Sequence, residues 1–391
     1  MFITHLSLTN FRAFSRLDME MPRRILLLEG DNAQGKTSLL EAVYFFSTFT
    51  SIQSSTDRQV ISFLALEETL PVSRMVADFS RGENKHQIEI RLILEQNGAQ
   101  NGFRFRKEIL VDGIKRSAHQ AVGLFNAVIF LPYMTRIIEG GPEERRRYLN
   151  LALAQVVPGY AKALSEYMLT LNQRNALLKQ IAERNTDLSQ LNYWDDLLAE
   201  KGAFLQFSRS KAIYEIEVLA NQIHRSLTND QEILRFSYQP ALFEENDSAG
   251  FFESTNHPTP IKDAFLAALK KKQKEEILRG VTTIGPHRDE LRFLVNNIDL
   301  GNYGSRGQIR TTMLALKLGE LAFMKNRTGE KPVLLLDETL AELDHKRREQ
   351  LLLAISEGDQ TLLTTTDLKL FSADFTKQST IWHINQGVIR T

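Results

Sequence analysis

Gly30-Asp31-Asn32-Ala33-Gln34-Gly35-Lys36-Thr37-Ser38 is the stretch on which the reading of this chain turns. It fits the pattern G-x-x-x-x-G-K-[ST] at every position. The glycines let the backbone wrap closely around phosphate groups, while loop amides and a helix N-terminus supply donors and partial positive charge. Lys36 is placed to reach β- and γ-phosphates, and the Thr37 hydroxyl is the expected Mg²⁺ ligand. The flanks agree. Ile25–Leu28 reads as a short apolar strand, and Lys36–Phe46 as a helix with Leu39, Leu40, Val43 and Tyr44 on a buried side. A chance match in a glycine turn would not need strand, loop and helix in that order.

Far downstream, Val333-Leu334-Leu335-Leu336-Asp337-Glu338 is an apolar strand that ends in two acids. Carboxylates are costly to bury, so such a strand needs a reason to end this way. Beside a phosphate loop, Asp337 can hold Mg²⁺ through a water, and Glu338 can orient and polarise an attacking water. The plainer alternative is that both acids begin a solvated loop and cap the next helix.

A third element lies between them. Gly304-Ser305-Arg306-Gly307-Gln308 precedes a helical stretch and resembles the ABC signature, a Ser, Gly and Gln motif that opens a helix. A hydroxyl and glycine amides at a helix N-terminus form an anion site. In ABC ATPases that site touches the γ-phosphate held by the other subunit, so Ser305, Gly307 and Gln308 would act across a dimer. Taken alone the segment is equally an ordinary helix cap. Leu340-Ala341-Glu342-Leu343-Asp344 looks like the D-loop, which assigns Asp344 to the nucleotide. Thr366 or Asp367 stands where a switch residue, often His, is expected.

Composition narrows the class. The 391 residues suffice for two domains, or for one with a large insertion. There is no cysteine, which excludes disulfides and thiolate chemistry. No cationic leader is evident at Met1, and no window approaches the roughly 18 apolar residues of a membrane span; a cytoplasmic protein is expected. Lys and Arg total 48 against 48 acids, so a nucleic-acid partner would have to be met by local patches.

The texture predicts an α/β chain, mixed sheets around a phosphate-loop core, with an inserted helical lobe. Residues 1–142 are strand-rich after the first helix, with Asp112-Gly113 as a hairpin turn. Asn10–Phe14 reads as a turn. Residues 143–230 are rich in helix formers, broken at Pro158-Gly159, with turns expected at Asn185–Asp187 and Asn192. Residues 231–391 return to α/β texture after a polar loop at Asn246–Pro260.

Read together, these blocks resemble the RecF family of SMC-type repair ATPases almost end to end. The resemblance rests on LTNFRAF, GDNAQGKTSLLEAVY, GGPEERRRYLN, IGPHRDEL, GSRGQIRTTMLALKLGEL, LLLDETLAELD and TLLTTTD in this order. It implies an ABC-type P-loop ATPase head that hydrolyses ATP weakly and dimerises on ATP. It also implies binding of double-stranded or gapped DNA, and help in RecA loading with RecR and RecO. It implies further that Arg12 approaches the nucleotide and that Gly285–Asp289 lies on the signature side. The chain departs from the family at Pro132-Tyr133-Met134, where Pro is usually followed by Glu-Asp, and at Arg306, where the family tends to show Gln or another residue.

For DNA, Arg145-Arg146-Arg147 and Lys346-Arg347 are the candidate contacts, with Lys270-Lys271-Lys272 and Lys274 behind them. Each of these runs also reads as a salt-bridged hinge or a solvated helix face. A rival reading makes ATP a switch for a protein-interaction scaffold without a DNA role. A transporter subunit is disfavoured by the long insertion between the phosphate loop and the signature.

Overall fold

The computed structural model describes residues 1–97, 102–184, 187–242 and 255–391. The polar loop from Asn246 lies outside the described residues as far as 254, and of the turn at Asn185–Asp187 only Asp187 is described. Two compact units form: Met1–Met134 with Leu314–Thr391, and Thr135–Met313.

The first unit contains two six-stranded sheets. One is antiparallel, in the order Phe14–Glu20, Phe2–Phe11, Val72–Arg81, Asn84–Asn97, Gly102–Val111, Ile114–Arg116. Its strands alternate: Ile88, Ile90, Leu92 and Leu94 are fully buried, while Glu89 and Arg91 join an ion-pair ladder on the other face. The expected turn at Asn10–Phe14 is the tip of its first hairpin, because Phe11 pairs directly with Phe14.

The second sheet runs Val388–Arg390, Thr380–Asn385, Ile25–Glu29, Thr361–Thr365, Val333–Asp337, Ala127–Phe130, parallel except at the first pair. Parallel strands covered on both faces become continuous apolar runs, and Leu26–Leu28 and Val333–Leu336 are such runs, at most 1% exposed. The helix Lys36–Thr48 rests on this sheet. Its opposite side is met from the antiparallel sheet, where Arg12 pairs with Glu41 and the Lys107 ammonium lies over the Phe45 ring. The helix is therefore buried nearly all round, beyond the single buried side expected from its sequence.

The second unit is mostly helical: Pro142–Val156, Tyr160–Arg184, Gln190–Thr228 and Thr259–Arg279. The break at Pro158-Gly159 is present, whereas Asn192 falls in the first turn of a long helix, where a poor helix former costs little. This unit extends well beyond the expected lobe of residues 143–230. The reason is pairing. Leu234–Gln239 bonds to Glu290–Val295 in a separate three-stranded sheet and joins neither six-stranded sheet.

Polar residues pin this unit from inside. Arg209 and Asp289 are each 1% exposed and pair at 2.9 Å. Asp289 also accepts from Gln206, Tyr238 and the Ala241 amide. Removing one partner of a buried pair strands the other's charge, at a cost of about 3–5 kcal/mol. Arg209→Met is expected to lower stability by that order, read as a fall in the urea midpoint; a loss below about 1 kcal/mol would show that the pair is dispensable.

Among the described residues no helix is long and apolar enough to cross a membrane.

Candidate nucleotide site

The strand Ile25–Glu29 delivers the chain to a loop that folds back on itself at Gly30–Gly35. A side chain at Gly30 would put its Cβ 2.4 Å from the Ile384 carbonyl oxygen of the neighbouring strand. Gly35, at φ 110°, sits in the left-handed region directly before the helix Lys36–Thr48. Ala33 shares that sign of φ at 64°, a strained choice for a residue with a Cβ. The loop is held from behind by the hairpin turn at Gln386-Gly387. The Gln386 amide donates to Gln34 Oε1 at 2.6 Å, and the Gly387 amide to the Gln34 carbonyl at 2.9 Å.

Asp337 ends the strand two places along from Ile25–Glu29, with Thr361–Thr365 between them. That spacing brings residues 300 apart in sequence into contact: Thr37 Oγ1 donates to Asp337 Oδ2 at 2.8 Å. The other carboxylate oxygen, Oδ1, accepts from Thr364 Oγ1 at 2.7 Å. Glu338 is in the left-handed conformation, φ 48°, and its amide donates to the same Thr364 oxygen at 2.9 Å. Lys36 is 4% exposed and crosses the loop, donating to the Gly30 and Asp31 carbonyls at 2.5 and 3.0 Å and pairing with Glu338 Oε1 at 3.1 Å. Asn32, Ala33, Gly35, Lys36, Thr37, Ser38, Asp337 and Glu338, with Ala13, line a cavity of about 320 Å³.

Burial pushes the Asp337 carboxyl above its usual range and the Glu338 charge adds to the push; hydrogen bonds from Thr364 and Thr37, and the Lys36 charge, oppose it. A cation would relieve that pressure. Thr37 offers a hydroxyl and Asp337 a carboxylate 2.8 Å away, oxygen donors of the kind that Mg²⁺ takes together with waters, and this donor set fits Mg²⁺ with Asp337 reached through a water. Among the described residues no group of three or more His, Cys, Asp or Glu could hold a metal.

Residues 2–390 match the family described as RecF/RecN/SMC N terminal domain. The chain belongs to the RecF family. It is 36% identical over 399 residues to a DNA replication and repair protein RecF of Herpetosiphon aurantiacus, covering 100% of this chain and 99% of that protein. Identity to the RecF of Chloroflexus aggregans is 38% over 400 residues, 99% of each. A solved structure of the recombination mediator RecF with ATP, from the RecFOR pathway, superposes with a TM-score of 0.84 at 29% identity, over 100% of this chain and 97% of that one. An Smc head bound to the winged-helix domain of ScpA shares the fold alone, at 14% identity and a TM-score of 0.50. The architecture is that of a RecF-type ABC ATPase head.

Other RecF-like positions are differently placed. Ser305 and Gln308 form a reciprocal cap, with the Gln308 amide donating to Ser305 Oγ at 3.2 Å and the Ser305 amide to Gln308 Oε1 at 3.1 Å. Ser305 and Gly307 are exposed at this helix start. Asp344 caps the helix His345–Glu357 and pairs with Arg347 at 2.7 Å. The Lys346 side chain lies outside the described residues. Thr366 is exposed just past the strand Thr361–Thr365.

Other positions named by the RecF resemblance and the charge runs make contacts of their own. Arg12 does not line the cavity. Its guanidinium grips Glu41 through two bonds of 2.8 and 2.9 Å, and the neighbouring Ala13 reaches the wall instead. Arg145 is withdrawn as a DNA contact. It is 8% exposed, forked onto Glu290 at 2.8 and 2.9 Å, and bonded to the Gly140 carbonyl. Arg146 donates to the Asp289 carbonyl and Arg147 is half-buried. The Gly285–Asp289 segment serves the interior of its own unit: burial pushes the His287 ring down to about 4, so it is neutral and accepts from Tyr167 at 2.7 Å.

Sequence reasoning missed Thr364. The available signal was its position, since it lies opposite Asp337 in the parallel register.

Proposed function

We propose that this chain binds and slowly hydrolyses ATP with Mg²⁺, dimerises when it does so, and in that form binds double-stranded or gapped DNA. In this reading it assists RecA loading together with RecR and RecO. The carrying observation is the convergence of Lys36, Thr37, Asp337 and Glu338 on one cavity, in a chain whose relatives are DNA replication and repair proteins.

The chain's own residues divide the work. The loop 30–35 and Lys36 neutralise phosphate oxygens, which is most of what phosphoryl transfer asks of a protein. Lys36 exchanges Glu338 for the γ-phosphate, and Glu338 is then free to orient water and take its proton as the bond to the leaving ADP breaks. Thr37, and Asp337 through a water, would hold Mg²⁺, which would supply charge neutralisation at the phosphates. Ser305, exposed at its helix start, is lent to the γ-phosphate by a second copy of the chain. Arg146, Arg147 and Arg347 remain as candidate DNA contacts beside Lys346.

The alternative, an ATP-switched protein scaffold, gains from the zero net charge and from the loss of Arg145 as a contact. Sedimentation of the purified chain with ATP, with gapped duplex, and with both separates the readings. A dimer with ATP that co-sediments with DNA at low salt is expected. A chain that dimerises and ignores DNA would be the scaffold, and one that does neither would leave the dimer reading without support.

A further inference from the structure

We propose that Thr364 is a positioning residue for the metal-binding carboxylate, and that this single hydroxyl sets the aim of both acids at the end of the strand Val333–Asp337. The inference deepens the nucleotide reading above and rests on it.

Thr364 is 4% exposed and makes two bonds that point in opposite chemical senses. Its O–H donates to Asp337 Oδ1 at 2.7 Å, so a lone pair of the same oxygen is left to accept the Glu338 amide at 2.9 Å. The first bond fixes the rotation of the Asp337 carboxylate and leaves Oδ2 turned to Thr37. The second secures the backbone where Glu338 takes its left-handed turn, the turn that brings Oε1 to Lys36. Without a partner at Oδ1 the carboxylate could rotate away from the direction the ion requires. Groups that orient a metal ligand from behind typically change metal affinity or activity by 10–100-fold when removed.

The same strand supplies an internal comparison. Thr361 is 1% exposed, and its hydroxyl has no hydrogen-bond partner among the described residues. A buried threonine hydroxyl is thus tolerated in this strand without a polar role, and burial alone does not account for the two bonds at Thr364.

The test is a Mg²⁺ titration of fluorescent ATP-analogue binding, read at equilibrium, so that no turnover is needed. Thr364→Val keeps the shape of the side chain and removes both bonds. It is expected to raise the Mg²⁺ concentration for half-maximal tightening by about 10–100-fold, while affinity in EDTA stays at the wild-type value. Thr364→Ser should restore the wild-type titration, and Thr361→Val should leave it unmoved. Should the valine variant fold poorly, Thr364→Ala removes the same bonds and carries the test. A Thr364→Val titration superimposable on wild type would overturn the positioning role alone. A wild-type protein that binds the analogue with no response to Mg²⁺ would overturn the metal site with it, and one that binds no analogue would overturn the nucleotide reading as a whole.

Discussion

Lys36→Ala is expected to weaken ATP binding by about 10²–10⁴-fold. The ammonium is 4% exposed and already enclosed by two loop carbonyls and Glu338, so its position is set before any ligand arrives. Hydrogen bonds to charged groups contribute about 1.5–3 kcal/mol each. Losing two such bonds to the β- and γ-phosphates gives roughly 3–6 kcal/mol, which is the stated range in dissociation constant. Alanine also leaves Glu338 facing the phosphates without its counter-charge, which adds repulsion in the same direction. Isothermal titration with ATP and Mg²⁺ measures this directly. A variant that binds within tenfold of wild type would show that the triphosphate lies elsewhere.

The second large effect separates binding from chemistry. Glu338→Gln retains the size and the backbone requirement of the residue and removes its ability to accept a proton. A general base contributes about 10²–10⁴-fold to rate, so single-turnover phosphate release should slow by that order. Binding should persist, because Lys36 and the loop are untouched, and the ATP-bound dimer should accumulate in sedimentation. Phosphate release within threefold of wild type would remove Glu338 from the reaction.

Much of this site was legible in the sequence because its constraints are local and severe. A loop that wraps phosphate needs glycine where side chains would collide, and Gly30 and Gly35 meet that need within six residues. Asp337 stood out because an apolar strand ended in charge. Other features rest on partners that no local pattern names. Arg145, in a run of three arginines, read equally as a DNA contact and as part of a salt-bridged hinge, and its fork onto Glu290 joins residues 145 apart. Thr364 was one hydroxyl in an apolar strand, as Thr361 is, and only the register with Asp337 distinguishes them. The limits of the second unit were hidden for a similar reason. Strand texture after residue 230 looked the same whether it joined the phosphate-loop sheet or, as it does, a small sheet of its own.

The hairpin turn behind the phosphate loop carries a consequence for synthesis. Gln386 follows the residue it supports by 352 positions, and the strand Ile25–Glu29 is flanked only by Thr361–Thr365 and Thr380–Asn385. At ribosomal speeds of about 5–20 residues per second, that interval lasts roughly 20–70 s. Throughout it a largely apolar strand of the nascent chain has neither neighbour to pair with. It is the kind of exposed segment that chaperones shield, and nucleotide cannot help the chain to fold until Thr361–Thr365, Thr380–Asn385 and Gln386 have been made.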